Sequence, residues 1–294
     1  MEDRPQRPGW LPEQLYPFAD HYADIDGARV HYVDEGTGPP LLLLHGNSAW
    51  SFLYRDIIIG LRDRFRCIAP DYPGFGLSVA PPGYGYTPAE HAKVIEALLL
   101  HLNLRDVTMM VQDWGGPIGF AAATRQPERF SAFVIGNSWA WPKTDPSTQI
   151  FSRLFGGPIG GYLIRRRNIT VERLIPGGVK RKKLPDAVMD AYRGPFSTPA
   201  SREPTHVFAH ELLASKAFLR EISDALPKLS DRPVLIVWAD QDIAFRDKER
   251  RQWETTFPDH HTVVLAGAGH FLQEDAADEI VTAIGDWHGK ANNA

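Results

Sequence analysis

The sequence has little cysteine, no long apolar run and no strong excess of charge of either sign. A single cysteine, Cys67, excludes an internal disulfide and is typical of a reducing compartment. No stretch approaches the ~20 consecutive apolar residues of a membrane span. Residues 1–5 carry acidic side chains and a proline where a signal peptide requires an apolar run. We therefore expect a cytoplasmic protein that does not contact a membrane.

The balance of charge argues against a nucleic-acid partner. Lys and Arg number 32 and Asp and Glu 36, for a formal net charge of −4, so no broad basic surface is available to displace counterions from phosphates. Two basic runs, residues 165–167 and residues 180–183, are local exceptions. We interpret both as solvated faces of short helices, because acidic residues elsewhere balance them.

Short apolar runs alternate with longer helical patterns, which is typical of a parallel sheet flanked by helices. Residues 28–33 alternate like a strand with one wet face and predict an antiparallel first part of the sheet. Thr87 is a candidate N-cap for a helix that starts at Pro88. The predicted strands are residues 41–44, 66–69, 107–111, 133–135, 233–238 and 262–265, and the predicted helices are residues 88–102, 116–125, 247–256 and 274–287.

The interval 139–229 interrupts this alternation. It is rich in Pro, Gly and Arg, contains no convincing strand and is too long for a simple connection. We expect it to be a helical cap placed over the carboxyl ends of the strands, where open α/β sheets bind ligands. The chain then divides into a first core part (1–138), the cap (139–229) and a second core part (230–294).

Residues 107–119 predict a strand, a tight turn and a helix with Asp113 at the turn. Residues 111–115 follow the pattern of a nucleophile elbow, in which a small residue and glycine each lie two positions from the nucleophile. Val111 stands where glycine is commoner. A carboxylate is already ionised at neutral pH and can attack a saturated carbon that carries a leaving group. A plain helix N-cap is the alternative interpretation of Asp113.

A candidate base and its acidic partner follow the last two predicted strands. His270 lies in a glycine-rich loop directly after the final strand, and the order nucleophile, acid, histidine is that of α/β-hydrolases. Two carboxylates, Asp240 and Asp242, follow the strand 233–238. Either one could orient the imidazole and stabilise its protonated form.

Taken together these motifs resemble the haloalkane dehalogenase family from Tyr22 to Trp287. The specific signature is Gln-Asp-Trp-Gly-Gly at residues 112–116 combined with His-Gly-Asn at residues 45–47; the segments 71–78 and 269–275 also match. The resemblance implies an α/β-hydrolase fold with a mostly parallel eight-stranded sheet. It favours Asp242 as the acid, because Asp242 takes the last position of the family pattern Trp-Gly-x-x-Asp, in which Ala239 replaces the glycine. Another subgroup carries a Glu near residues 136–141, where this chain has no carboxylate.

The resemblance also implies which residues bind the halide and the substrate. The side chains of Asn47 and Trp114 would hold the departing halide, and their backbone N–H groups would form the oxyanion hole. The expected partners are a small apolar halogenated substrate, water and a halide ion, with no metal or organic cofactor. Apolar pocket candidates are Phe271, Phe151, Phe155 and Phe208, with Leu154 and Leu212 as further cap residues.

Three alternatives remain open from the sequence. An epoxide hydrolase uses the same nucleophile with cap tyrosines, for which Tyr162 and Tyr192 are candidates, but Ser48 replaces the proline of its oxyanion loop. A fluoroacetate dehalogenase normally has Arg where Trp114 stands. A non-catalytic receptor of this fold is the third. If His270 is the base, activity should fall below roughly pH 6.5, the range in which an unperturbed imidazole becomes protonated.

Overall fold

A computed structural model describes residues 7–291, with side chains through residue 289. Residues 1–5, considered above for a signal peptide, lie outside the described range. Within that range no helix combines the length and the apolar character needed to cross a bilayer.

Eight strands form one mixed, mostly parallel sheet, as the sequence predicts. Their order across the sheet is β1-β2-β4-β3-β5-β6-β7-β8. The pairs β1/β2 and β2/β4 are antiparallel and the other pairs are parallel, which confirms the antiparallel start. The strands are β1 (His21–Ile25), β2 (Ala28–Glu35), β3 (Pro40–Leu44), β4 (Arg66–Pro70), β5 (Val107–Asp113), β6 (Phe130–Ser138), β7 (Val234–Ala239) and β8 (His260–Leu265).

Helices flank this sheet and include the four that the sequence predicts. Thr87 caps the second helix in a reciprocal pair with Glu90, as expected for an N-cap followed by Pro88. The last helix is kinked at Ala276. The helices are α1 (Arg55–Leu61), α2 (Pro88–His101), α3 (Gly115–Arg125), α4 (Pro146–Phe155), α5 (Pro158–Arg167), α6 (Ile175–Gly178), α7 (Asp186–Arg193), α8 (Glu203–Ala214), α9 (Lys216–Ala225), α10 (Asp247–Thr256) and α11 (Leu272–Ala291).

The 95 residues between β6 and β7 contain helices α4 to α9, short 3₁₀ turns and one π-helical turn, Thr170–Leu174, with no strand among them. The first basic run ends α5, as expected. The second run does not lie on a helix, so that part of the prediction was wrong. Residues 180–183 form a loop after α6, because the backbone N–H groups of Lys180 and Arg181 donate to the carboxylate of Asp275 instead of continuing a helix.

The central strands are buried on both faces. All seven residues of β5 are buried, and Cys67 in β4 is fully inaccessible, as expected for a small apolar side chain. Parallel strands covered by helices on both sides need such continuous apolar runs. Since β3, β5, β6, β7 and β8 run in the same direction, their carboxyl ends meet at one edge of the sheet.

A buried ion pair joins the core to the helical interval. Arg55 in α1 donates to both carboxylate oxygens of Glu274 in α11, at 2.5 and 2.8 Å, and the hydroxyl of Tyr192 in α7 donates to Glu274 Oε1 at 2.6 Å. The three hydrogen bonds from these two residues satisfy a carboxylate that has no contact with solvent. These hydrogen bonds lower the pKa of Glu274 against the opposing effect of burial.

Glu274→Gln is expected to lower the free energy of unfolding by about 3 kcal/mol, because it removes the buried counter-charge of Arg55 and leaves only the exposed carboxylate of Asp56, at 3.6 Å. Urea denaturation followed by circular dichroism measures the change. Asp231→Asn is the control: it breaks an ion pair with Arg232 whose aspartate is 67% exposed, so less than about 1 kcal/mol should be lost. Equal losses in the two variants would show that Glu274 does not hold the helices to the core.

Candidate active site

Asp113 ends β5 and stands at the sharp turn into α3. Its φ of +47° lies in the left-handed region, which a non-glycine residue adopts only when the surrounding structure enforces it. Gly115 and Gly116 permit the turn, because a Cβ would lie 2.2 Å from the Leu44 carbonyl oxygen at the first and 2.0 Å from Ser138 Oγ at the second. The turn therefore presents the carboxylate at the carboxyl edge of the sheet, as in a nucleophile elbow.

A backbone donor holds one oxygen of this carboxylate. The N–H of Asn47, in the loop after β3, donates to Asp113 Oδ2 at 2.8 Å, and the backbone of Trp114 also favours the charged carboxylate. Burial raises the pKa of Asp113, while the nearby His270 and the two N–H groups oppose that rise. The carboxylate is thus largely removed from water but fixed by donors, with Oδ1 left for attack.

His270 follows β8 and contacts a carboxylate from the loop after β7. Its Nδ1 lies 3.0 Å from Asp242 Oδ2. Asp240 instead is exposed and accepts the N–H of Gly267 at 2.7 Å, so the structure places Asp242 and not Asp240 against the imidazole. Asp242 is held in turn by the side chain of Asn137, whose Nδ2 donates to Oδ2 at 3.0 Å.

The electrostatics of His270 differ from those of a free imidazole. Burial lowers its pKa, but the carboxylates of Asp242 and Asp113 outweigh this effect and raise the pKa to about 9. The limit of roughly pH 6.5 expected from an unperturbed imidazole is therefore too low for the free protein. The two carboxylates that face the ring cause the difference.

A cavity of about 500 Å³ joins these groups. Asn47, Asp113, Trp114, Asp242 and His270 all border it. Of the apolar candidates, Phe151, Phe208, Phe271 and Leu212 line the cavity, whereas Phe155 and Leu154 do not. Phe155 stacks on Phe151 at 4.6 Å between ring centroids, one helical turn further along α4, and Leu154 is exposed.

Two side-chain donors border the cavity beside the nucleophile. The Trp114 ring packs against Trp139 and Phe208, and its indole N–H has no acceptor among residues 7–291. The side chain of Asn47 donates one N–H to the Thr205 carbonyl oxygen at 3.1 Å. Since a carbonyl can only accept, this contact fixes the amide orientation and leaves the second N–H unused.

A family model described as the alpha/beta hydrolase fold matches residues 39–277. Haloalkane dehalogenase 2 of Mycobacterium tuberculosis (strain H37Rv) is 48% identical over 273 residues, which cover 92% of this chain and 95% of that protein. The chain belongs to the haloalkane dehalogenase family. This confirms the resemblance read from the motifs.

A solved structure supports the fold, and a second relative carries the name of a different reaction. The crystal structure of haloalkane dehalogenase DbeA from Bradyrhizobium elkani matches with a TM-score of 0.86 at 26% identity, covering 94% of this chain and all of that one. A cis-3-alkyl-4-alkyloxetan-2-one decarboxylase of Shewanella oneidensis is 35% identical, covering 92% of this chain and 89% of that protein. The shared fold therefore carries more than one named reaction.

The tyrosines considered for an epoxide hydrolase do not border the cavity of this dehalogenase-family chain. Tyr162 is 62% exposed on α5. Tyr192 is buried, and its hydroxyl is committed to Glu274. No tyrosine is among the described residues that line the cavity, so no phenol is placed to protonate an epoxide there.

Three neighbours of the site were not predicted from the sequence. Asn137 bonds Asp242, and its position directly at the carboxyl end of β6 is a signal that could have found it. The Phe245 ring stacks on His270 at 5.7 Å. Lys143 borders the cavity while its Nζ contacts Glu249 at 3.0 Å and the Phe245 ring at 4.7 Å. Phe245 and Lys143 lie in loops and in no motif. No signal in the sequence therefore indicates that either reaches the site.

Within the described residues no group of three His, Cys, Asp or Glu side chains is arranged to hold a metal ion.

Proposed function

We propose that the chain is a haloalkane dehalogenase that hydrolyses small apolar haloalkanes to an alcohol, a halide ion and a proton. The observation that carries the proposal is the carboxylate of Asp113 at a cavity wall, beside the unpaired indole N–H of Trp114 and within the field of His270. Nucleophile, donors and base thus border one cavity of substrate size.

In the first step Asp113 Oδ1 attacks the carbon that bears the halogen. The new carbon–oxygen bond forms as the carbon–halogen bond breaks, and its electron pair leaves with the halide. The indole N–H of Trp114 and the unused amide N–H of Asn47 receive that developing charge. Donors that are already oriented in a dry cavity stabilise such charge without further rearrangement.

In the second step water hydrolyses the alkyl ester on Asp113. The oxygen that becomes the ester carbonyl is Oδ2, which the Asn47 backbone N–H already holds, so the same donor stabilises the oxyanion. His270 takes a proton from the water while Asp242 stabilises the resulting imidazolium. Esterification removes the charge of Asp113, one of the two carboxylates that raise the pKa of His270, and so makes the imidazole available in its neutral form.

The helical interval 139–229 is proposed to act as the cap. Phe151 from α4 and Phe208 from α8 reach the cavity that Asp113 borders from the core. An apolar cover of this kind excludes bulk water, which strengthens every electrostatic contact inside. Phe151, Phe208 and Leu212 in the same wall support an apolar alkyl group as the part of the substrate that they contact.

Bromide release from 1-bromobutane tests the proposal directly. The wild type is expected to release bromide and 1-butanol in equal amounts, and Asp113→Ala is expected to release neither above background. Styrene oxide and a cis-dialkyl oxetan-2-one are offered in parallel, the second because of the 35% identical decarboxylase. Turnover of either alternative without bromide release would reject the proposed function and name the reaction that replaces it.

A further inference from the structure

Gln112 directly precedes the nucleophile, and its side chain is fully buried against His270. Its amide nitrogen Nε2 lies 3.1 Å from the backbone carbonyl oxygen of His270 and 3.1 Å from the ring atom His270 Nε2. A carbonyl oxygen can only accept a hydrogen bond, so the amide nitrogen, and not the amide oxygen, must face this residue.

This orientation determines where the imidazole carries its proton. An amide N–H pointing at His270 Nε2 requires that atom to accept, which means that it is unprotonated. The ring proton then lies on Nδ1, where it is donated to Asp242 Oδ2 at 3.0 Å. When the ring is neutral, the contact with Gln112 thus favours the tautomer whose lone pair is on Nε2, the atom that must act as base.

We infer that Gln112 is a positioning residue for this base: its amide opposes protonation of Nε2 and, when the ring is neutral, favours the Nδ1–H tautomer. The inference rests on the proposed function, because it concerns the proton transfer of the hydrolytic step.

Protonation of Nε2 disturbs this contact whichever way the amide turns. If the amide keeps its orientation, two N–H donors face each other. If it rotates by half a turn, Oε1 accepts from Nε2–H but then faces the carbonyl oxygen of His270. In the structure Oε1 is buried and has no partner among the described residues, so no other contact stabilises the rotated state. Gln112 therefore destabilises the imidazolium and favours return of its proton.

The charged groups around the His270 ring also influence its protonation. Asp242 from the loop after β7 and Asp113 from β5 face His270 and favour its protonation. Lys143 contacts the Phe245 ring that stacks on His270, and Lys180 borders the same cavity. The Gln112 amide is neutral and hydrogen-bonds Nε2 directly. It favours the uncharged imidazole and so opposes the protonation that the two carboxylates favour.

Titration of His270 by NMR of its Cε1–H group tests the inference without any substrate, with His270→Gln used to assign the signal. In Gln112→Leu the pKa of His270 is expected to rise by about one unit, the order expected for loss of one buried hydrogen bond to the neutral form. In Gln112→Glu it should rise further, because a third carboxylate then faces the ring. Gln112→Glu keeps the side-chain shape and serves if the leucine variant does not fold.

Gln126→Leu is the matched control. Gln126 follows α3, at the opposite end of that helix from Asp113, and it also has a buried amide oxygen with no partner. Its removal should leave the titration of His270 unchanged. A titration of His270 in Gln112→Leu and Gln112→Glu identical to that of the wild type would overturn the inference.

Single-turnover kinetics give the second readout. The acid limb of ester hydrolysis should move to higher pH in Gln112→Leu by the same amount as the NMR titration, while the rate at high pH stays within a few-fold of the wild type. A lower rate at every pH without a shift would indicate a merely structural role and contradict the inference. Failure of the proposed function is distinct, since it would appear as absence of bromide release in the wild type.

Discussion

Replacing His270 by phenylalanine is expected to stop the reaction at the alkyl ester of Asp113. The first step needs only the carboxylate and the halide donors, so one equivalent of bromide should be released. The second step needs a base, and its loss should slow ester hydrolysis by on the order of 10²–10⁴. Position 270 should accommodate a phenylalanine ring, because the His270 ring already packs against Phe245 and Phe271.

Mass spectrometry of the intact His270→Phe variant after exposure to 1-bromobutane detects the adduct as a butyl group in place of one proton. Trypsin should place it on the peptide 106–125, which contains Asp113 and ends at Arg125. His101→Phe, at the exposed end of α2, is the control and should turn over normally without an adduct. Normal turnover by His270→Phe would remove His270 from the mechanism.

Replacing Trp114 by phenylalanine is expected to slow carbon–halogen cleavage by on the order of 10²–10³, by analogy with removal of one oxyanion donor. The substitution keeps an aromatic ring against Trp139 and Phe208 but removes the indole N–H. The defect should appear in the burst of bromide and not in the hydrolysis of a preformed ester. Rapid-quench measurement of bromide separates the two steps.

Trp139→Phe is the control for this effect. Trp139 packs edge-on against Trp114 at 4.8 Å but does not border the cavity, and its buried N–H has no partner among the described residues. Both variants lose one indole N–H and similar packing, but only Trp114 can face the halide. Equal burst rates in the two variants would mean that the indole of Trp114 does not assist departure of the halide.

The geometry that made the site predictable is the common edge of the parallel strands. Asp113 ends β5, Asp242 and His270 follow β7 and β8, and Asn47 follows β3. Because these strands run in one direction, residues just beyond their carboxyl ends converge however far apart they are in sequence. Strand position, together with the nucleophile-elbow order at Asp113, was therefore enough to expect a nucleophile, a base and an acid at this edge, and the family motif was needed only to choose between Asp240 and Asp242.

Residues in the helical interval could not be predicted to the same degree. Phe151 and Phe155 are one turn apart on α4 and equally apolar, yet only Phe151 reaches the cavity. No strand register fixes these helices, so their orientation depends on contacts with the core. The basic residues 180–183 took a loop conformation for a similar reason: the carboxylate of Asp275 in α11 binds their backbone.

The protonation behaviour of the base also lay beyond the sequence. The reference pKa of histidine predicted that activity falls below about pH 6.5. The carboxylate of Asp242, 3.0 Å from the ring, and that of the nearby Asp113 raise the pKa of His270 to about 9. The choice between Asp240 and Asp242 shows the opposite case. A family motif selected Asp242, and the structure gives the physical reason, since Asp240 accepts the N–H of Gly267.

Transfer of ¹⁸O from water into Asp113 tests the covalent mechanism most directly. With excess wild-type enzyme and one turnover of 1-bromobutane in H₂¹⁸O, the account predicts unlabelled 1-butanol and one ¹⁸O atom in the peptide 106–125, with tandem fragmentation separating Asp113 from Asp106. Labelled butanol and an unlabelled Asp113 would contradict it, because water would then have displaced the halide without an ester.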